Sequence, residues 1–167
     1  RTDYDLTVHS NHSKNELKYL DPETNEKYTP YVIEPSVGCD RLTLAVLCDA
    51  YNEETLEDGS VREVMKLSPA LAPYKVAVLP LVKKFHKEKA EEIYRMLSKH
   101  FMCTYDETGN IGKRYRREDA IGTPFCITID DETINNRVVT VRDRDTMAQI
   151  TLNVDEIVNY VNEQIEF

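Results

Sequence analysis

One short segment of the chain combines a carboxylate, a serine and an arginine at a spacing that suits a charged small molecule. An apolar run that begins at Tyr31 ends on Glu34, and Ser36 and Gly38 then lead into a predicted helix with Arg41 in its first turn. Backbone N–H groups and the helix dipole favour anions at a helix N-terminus, so Arg41 is well placed to hold a phosphate. Glu34 could pair with an ammonium group. A strand and helix that only support the fold give the same pattern, so this segment alone leaves both interpretations open.

A second segment places cations together in an acidic chain. The cluster consists of Lys113, Arg114, Arg116 and Arg117, with Tyr115 inside it. The formal net charge of −9 argues against a general polyanion-binding surface, so a contact with nucleic acid must be a local patch. Such a patch can follow an RNA backbone while a planar side chain stacks on a base, and the alternative is a solvated helix face. For Tyr115, stacking on a base and packing inward are equally compatible with the sequence.

A third segment alternates Arg142 and Arg144 with Asp143 and Asp145 near the end of a predicted strand. An ion-pair network within the protein is one interpretation. The other is direct contact with base edges, because arginine can bind guanine with two hydrogen bonds and aspartate can accept from the amino group of cytosine. Two carboxylates without further ligands do not predict a metal site.

Composition indicates an intracellular location. Cys39, Cys48, Cys103 and Cys126 are widely spaced and form no CxxC pair, which favours reduced thiols. No apolar run reaches membrane-spanning length and the first residues do not form a signal peptide, so we expect a cytoplasmic protein without membrane contact. Because the chain begins at Arg1 without a methionine, we also expect a fragment of a longer protein.

The first sixty residues predict strands over Thr2–Val8 and Lys27–Glu34, separated by a polar loop. The helix that follows, from about Gly38 to Tyr51, has little polar face, so we expect it to be buried on more than one side. An acidic stretch over residues 53–60 and a proline-containing connector over residues 68–73 suggest a domain boundary between them.

From Tyr74 onward, strand and helix patterns alternate. The predicted strands are Lys75–Leu79, Met102–Tyr105, Pro124–Asp130, Arg137–Arg142 and Met147–Leu152, and the predicted helices run from about Phe85 to His100, through Lys113 to Ala120, and from Asp155 to Ile165. This order predicts a three-layer α/β domain with a mixed five-stranded sheet, in which parallel strands are followed by an antiparallel hairpin.

Six blocks of sequence, in order along the chain, resemble the C-terminal part of the dimeric class II glycyl-tRNA synthetases. They are Arg1–Leu6, Tyr31–Leu42, Pro69–Lys75, Ile111–Arg117, Glu118–Pro124 and Val141–Met147. The resemblance implies that residues 1–60 are the end of a class II catalytic domain, with the last strands of an antiparallel sheet and the motif 3 helix. It further implies a linker over residues 61–73 and an anticodon-binding domain over residues 74–167.

The function implied by the resemblance is that of a glycine–tRNA ligase, which attaches glycine to its tRNA at the expense of ATP. Arg41 and Arg1 would bind ATP, and Glu34 and Ser36 would bind glycine. The residues expected to bind tRNA are Lys113, Arg114, Arg116, Arg117, Arg142 and Arg144. No residue of the chain is expected to act as a catalytic acid or base.

Motifs 1 and 2 of this family are absent from the chain, so we expect the fragment to be inactive alone. Magnesium would be bound mainly by absent parts of the parent protein, which would be a homodimer with tRNA, glycine and ATP as its partners and no affinity for DNA. The alternative is a non-catalytic accessory protein that keeps only the nucleic-acid-binding module. Such a protein would not need Arg41, Glu34 and Ser36 together, and their joint presence favours the enzyme.

Overall fold

The computed structural model describes residues 2–165 and forms two compact units, residues 1–42 and residues 43–167. The first unit contains helix α1 (Tyr4–Ser13) and a short antiparallel hairpin of strands β1 (Tyr19–Leu20) and β2 (Lys27–Tyr28). The predicted strand over Thr2–Val8 is therefore wrong. Asp5 in the first turn and His12 in the last turn of α1 suit the helix dipole, and this favours the helix over a short, loose alternation.

The second predicted strand, Lys27–Glu34, forms only over its first two residues. Pro30 and Pro35 lack the N–H group that a strand donates to its neighbour, which explains why the segment leaves the ladder early. An extended antiparallel sheet is thus not present in the described residues of the first unit. The assignment of residues 1–60 to a catalytic domain stays a prediction.

Helix α2 (Cys39–Ala50) confirms the predicted helix to within one residue at each end. Its burial is less than expected. Ala50 is buried in a small cluster with Leu67 and Ala72, but Leu44 is 62% exposed and Leu42 and Leu47 are also exposed. Among the described residues, the buried cluster around Ala50 covers one face of the helix, and the three leucines lie outside it.

A hairpin of strands β3 (Tyr51–Thr55) and β4 (Val61–Met65) follows α2 and was missed in the sequence. Val61–Met65 lies within the segment 61–73 that was predicted to be a linker, and the structure forms a strand there. The division into domains at this segment stays a prediction. Arg62 and Val64 of β4 are completely buried, whereas their neighbours along the strand are more exposed. This alternation of period two is typical of a strand with one packed face.

The remaining chain forms the expected mixed sheet of five strands in the order β6-β5-β7-β8-β9. Strands β5 (Val76–Pro80), β6 (Cys103–Tyr105) and β7 (Phe125–Ile129) are parallel, and β8 (Val138–Asp143) and β9 (Gln149–Asn153) are antiparallel. The helices are α3 (Lys83–Leu97), α4 (Ile111–Ile121), α5 (Asp131–Asn136) and α6 (Ile157–Ile165), the last preceded by a 3-10 turn at Val154–Glu156.

The two faces of the sheet carry different cores. On one face, apolar residues of β5, β7 and β8 pack with Ala90, Ile93 and Leu97 of α3 and with Ile157 and Val161 of α6. On the other face, alternate residues of β5 and β7 pack against α4; they are Ala77, Leu79 and Cys126, which contact Ile111 and Tyr115. Helices on both faces give the three-layer arrangement that the sequence predicts.

Candidate nucleic-acid interface

The residues predicted to bind glycine lie together in the first unit. Glu34 and Ser36 line a concave surface of about 480 Å³ with Asp5, Val32 and Ile33. Both side chains are exposed. No other described residue lines this concavity.

The structure does not bring the residues predicted to bind ATP together with those predicted to bind glycine. Arg41 is in the first turn of α2, as expected, and is exposed, but it is not among the described residues that line the concavity. Arg1 lies outside the described residues. Among residues 2–165, no group of three or more histidine, cysteine or carboxylate side chains has the arrangement of a metal site.

Helix α4 presents part of the predicted cationic cluster to solvent. Its N-terminus is capped by Asn110, whose side chain accepts a hydrogen bond from Lys113 N–H at 2.9 Å, and it ends at Gly122 with φ of +85°. Lys113 and Arg117 are exposed and Arg116 is half-buried. Arg117 also folds back on the loop before the helix, where it donates to Asp106 and to the Thr108 carbonyl oxygen at 2.6 Å.

Arg114 and Tyr115 of the same cluster point into the protein. Arg114 is 3% exposed and donates to the carbonyl oxygens of Pro80 and Gly109. The Tyr115 hydroxyl lies 2.6 Å from the Thr128 hydroxyl, so of the two orientations open at Tyr115 the structure shows inward packing. Neither side chain is available to stack on a base in this conformation.

Arg142 belongs to a buried ion cluster around Asp119. The Asp119 carboxylate is fully buried and accepts from Arg142 at 2.8 and 3.1 Å and from Arg62 at 2.9 Å. The Arg142 guanidinium also lies over the Tyr115 ring, 4.8 Å from its centroid. Two arginines on one carboxylate compensate the cost of burying the charges, and here the geometry corresponds to the ion-pair interpretation.

Arg144 has a similar place at the end of the hairpin. It is 2% exposed and donates to the carbonyl oxygens of Gly122 and Leu67 at 2.8 and 2.7 Å, and it pairs with Asp145. The burial of Arg114, Arg142 and Arg144 argues against direct contact with RNA. Of the six cations predicted to bind tRNA, Lys113 and Arg117 are exposed, while Arg116 is half-buried and its buried Nη1 has no hydrogen-bond partner. The role of these three residues stays a prediction.

A surface that the sequence analysis missed lies where the three parallel strands end. We call it the strand-end edge and define it by the loops that follow β5, β6 and β7, at residues 81–82, 106–110 and 130. Leu81 and Val82 are 41% and 43% exposed, and Phe85 in the first turn of α3 is 64% exposed with Lys84 over its ring at 5.5 Å. In the sequence, the apolar run of β5 continues for two more residues, Leu81 and Val82, and this continuation was the signal that could have indicated the surface.

The strand-end edge also carries charge of both signs. Glu107 accepts from Lys87 at 3.5 Å and pairs with Lys83, and Asp131 at the start of α5 is exposed. In open α/β sheets, ligands bind outside the carboxyl ends of the parallel strands. Exposed apolar groups beside carboxylates and cations can hold unstacked bases and also bind their edges.

A polar sheet face adjoins α4. Thr128, Thr140 and Thr151 are directly opposite one another on β7, β8 and β9, on the face that α4 packs against. Thr128 is buried, Thr140 is half-buried and Thr151 is exposed, so the solvent exposure of this face increases from β7 to β9. No helix within residues 2–165 has both the length and the apolar character needed to span a membrane.

Comparison with known proteins places these features in a family context. The family model described as an anticodon binding domain matches residues 75–164. A glycine–tRNA ligase of Clostridium tetani is 62% identical over all 167 residues, and one of Geobacillus thermodenitrificans is 60% identical. The chain spans 36% of the length of each of these two relatives, and they confirm the resemblance drawn from the sequence blocks.

Solved structures agree with the fold of the sheet domain. The RNA-binding domain of a threonyl-tRNA synthetase from Cryptosporidium parvum aligns with a TM-score of 0.55 and 25% identity, covering 59% of this chain and 25% of that one. A prolyl-tRNA synthetase from the same organism aligns with a TM-score of 0.55 and 18% identity, covering 68% of this chain and 31% of that one. The second likeness shows the fold alone.

Proposed function

Because the chain belongs to the anticodon-binding domain family through residues 75–164, we propose that it supplies tRNA recognition to a glycine–tRNA ligase. The observation that carries this proposal is the 62% identity to the Clostridium tetani ligase along the whole chain. The complete ligase would use ATP, with magnesium, to attach glycine to tRNA, as a cytoplasmic homodimer. No specific observation favours the accessory-protein alternative.

The residues of the first unit would serve the activation of glycine. Attack of the glycine carboxylate on the α-phosphorus of ATP needs positioning and neutralisation of charge more than a general base. Arg41 and Arg1 would bind ATP, while Glu34 would pair with the ammonium group of glycine and Ser36 would line its pocket. A site that selects glycine must also exclude larger amino acids, which requires an enclosed pocket. The exposure of Glu34 and Ser36 supports the proposal that this chain alone does not activate glycine.

The second unit would recognise the anticodon arm. Lys113, Arg116 and Arg117 would follow the RNA backbone, and the strand-end edge would receive unstacked bases on Leu81 and Val82. Glycine codons begin with two guanines, so glycine anticodons end with two cytosines. The cytosine amino group can donate a hydrogen bond to a carboxylate. At the strand-end edge, Glu107 and Asp131 would be the acceptors.

Binding of labelled glycine tRNA, measured by fluorescence anisotropy over a range of salt concentrations, tests the proposal. The comparison is the same tRNA with its two anticodon cytosines replaced by adenines. We expect tighter binding of the unaltered tRNA, and a linear fall of log affinity with log salt concentration. Equal affinities for the two tRNAs would contradict anticodon recognition by this chain.

A further inference from the structure

A buried histidine joins two loops of the strand-end edge. His86 is 2% exposed, and its Nδ1 accepts a hydrogen bond from Val82 N–H at 3.0 Å. An acceptor at Nδ1 requires that the neutral ring carry its proton on Nε2, which lies 3.1 Å from Asp131 Oδ1 and donates to it. The Asp131 side chain is 85% exposed, so a buried ring holds an accessible carboxylate in place.

The two loops that His86 connects leave neighbouring strands at the same end. Val82 follows β5 and Asp131 follows β7, and these strands are paired up to Pro80 and Ile129. Leu81 N–H donates to the Ile129 carbonyl oxygen at 2.8 Å, which continues the pairing past the last residue of β5. His86 therefore fixes the exposed Leu81–Val82 segment relative to the first turn of α5.

Arg114 makes the corresponding connection to the third loop. Its guanidinium donates to Pro80 at the end of β5 and, at 2.6 Å, to Gly109 in the loop between β6 and α4. No carboxylate in residues 2–165 lies within ion-pair distance of this buried cation. Its Nη1 and Nη2 donate to backbone carbonyl oxygens while the buried Nε has no hydrogen-bond partner, so the contacts that Arg114 makes hold the backbone of two loops together.

We propose that His86 and Arg114 are positioning residues for anticodon recognition, which fix the three loops of the strand-end edge without contacting RNA. The inference rests on the proposed function and changes the role of Arg114 from a tRNA ligand to a support. A surface that is ordered before binding loses less conformational entropy when RNA binds. Discrimination between anticodons should then depend on both residues, although neither reaches a base.

The variants for the test are His86→Asn and Asp131→Asn. Asparagine at position 86 retains an acceptor near the position of Nδ1 but is too short to reach Asp131. Asp131→Asn changes an exposed side chain, so we expect the variant to fold as the wild type does. The control is Glu163→Ala on α6, which also removes one exposed negative charge. Each protein is titrated with glycine tRNA and with the cytosine-to-adenine tRNA, at several salt concentrations, after its Tm has been measured.

For His86→Asn we expect the affinity ratio between the two tRNAs to fall about fivefold, the effect of one lost hydrogen bond, with the salt slope unchanged. Asp131→Asn should lower the ratio in the same direction, and Glu163→Ala should leave it at the wild-type value. An unchanged ratio in His86→Asn, or a loss confined to Asp131→Asn, would overturn the inference. Wild-type protein that does not distinguish the tRNAs would instead overturn the proposed function.

Arg114→Lys extends the test to the second connection. A lysine keeps the charge but cannot donate to two carbonyl oxygens at the guanidinium positions, so we expect a reduced affinity ratio with the same salt slope. Arg114→Met removes the charge and, for a support, should also leave the slope unchanged. A slope that decreases by about 0.7 to 0.9 in Arg114→Met would indicate a direct phosphate contact and would contradict a positioning role.

Discussion

At the scale of single residues, the sequence identified candidate functional side chains but not the partners that these side chains have in the fold. The sequence singled out Arg142 and left two interpretations open, because its partner Asp119 is 23 positions away and the second arginine on that carboxylate, Arg62, is a further 57 positions from Asp119. Such pairs are created by the tertiary fold and leave no local pattern. Arg41, whose position depends only on the next helix, was placed correctly.

Lys75 gives a prediction about the connector that precedes the sheet domain. Its ammonium group donates to the carbonyl oxygens of Pro69, Ala70 and Ala72 at 2.8 to 2.9 Å, and burial lowers its pKa. Lys75→Met should reduce the free energy of unfolding by about 2 kcal/mol, because three partly buried acceptors lose a charged donor. Urea denaturation measures this, with the exposed Lys113→Met as control. Equal midpoints for the two variants would contradict the role of Lys75.

Glu118 gives a prediction about pH. The side chain is 4% exposed and accepts from the hydroxyls of Thr104 and Thr123, and burial raises its pKa above the usual 4.5. In the window above pH 4.5 the folded state holds its proton more tightly than the unfolded state, so this group's contribution to stability falls as pH rises. Glu118→Gln keeps an acceptor and removes the ionisation.

We therefore expect the Tm of Glu118→Gln relative to wild type to increase between pH 4 and pH 8. Thermal unfolding followed by circular dichroism at both pH values measures the difference. A Tm difference that stayed constant or shrank with rising pH would show that burial does not raise the pKa of Glu118.

At the scale of elements, strong periodicity was predictive and weak periodicity was not. The buried strands β5 and β7 were placed to within one or two residues because continuous apolar runs end in turn residues. The hairpin β3–β4 was missed because Glu53, Glu54 and Glu63 lower the β propensity of a segment stabilised by packing of its other face. Helix α5 was missed although Asp130 and Thr133 form a capping box.

Helix α4 carries a prediction about salt dependence. Replacing Lys113, Arg116 and Arg117 together by alanine should weaken binding of glycine tRNA and reduce the slope of log affinity against log salt by about 2, because about three phosphate contacts are lost. A triple alanine variant at Arg95, Lys99 and Arg137, which are also exposed cations of the second unit, serves as the matched control. An unchanged slope in the α4 variant would refute this part of the interface.

The hairpin β3–β4 carries a prediction about the domain boundary. Arg62 places its guanidinium against Asp119 of α4 and the Arg144 carbonyl oxygen, so the hairpin completes the buried ion cluster. A protein that begins at residue 74 leaves Asp119 without one of its two arginines. It should be less stable than residues 43–167 by about 3 to 5 kcal/mol, the cost of breaking a buried pair.

Urea denaturation of the two shorter proteins, with tRNA binding as a second measurement, tests this boundary. The control is Arg62→Met in residues 43–167, which should reproduce most of the loss if the ion pair is the cause. Equal stability of the two shorter proteins would restore the sequence-based boundary, with residues 61–73 as a mere linker.

At the scale of the whole molecule, the two units differ in how far they account for their proposed roles. The sheet domain of the second unit has a core on each face of its sheet, and the proposed recognition of RNA would rest on this domain. The first unit holds Glu34 and Ser36 on an exposed concavity of about 480 Å³ and leaves the apolar side chain of Leu42 exposed. We therefore predict that activation of glycine needs surfaces beyond those that residues 2–165 form.

The corresponding prediction concerns glycine-dependent exchange of pyrophosphate into ATP. The chain should show no exchange above background, because the transition state at the α-phosphorus needs several cationic and metal ligands at once and exclusion of water. A complete ligase containing this sequence should catalyse the exchange, and Glu34→Gln in that ligase should reduce it by raising KM for glycine, because an ammonium group loses its charged partner. Asp3→Asn is the matched control. Exchange by the chain itself would show that its exposed site is sufficient, and an unaffected Glu34→Gln ligase would remove Glu34 from the glycine site.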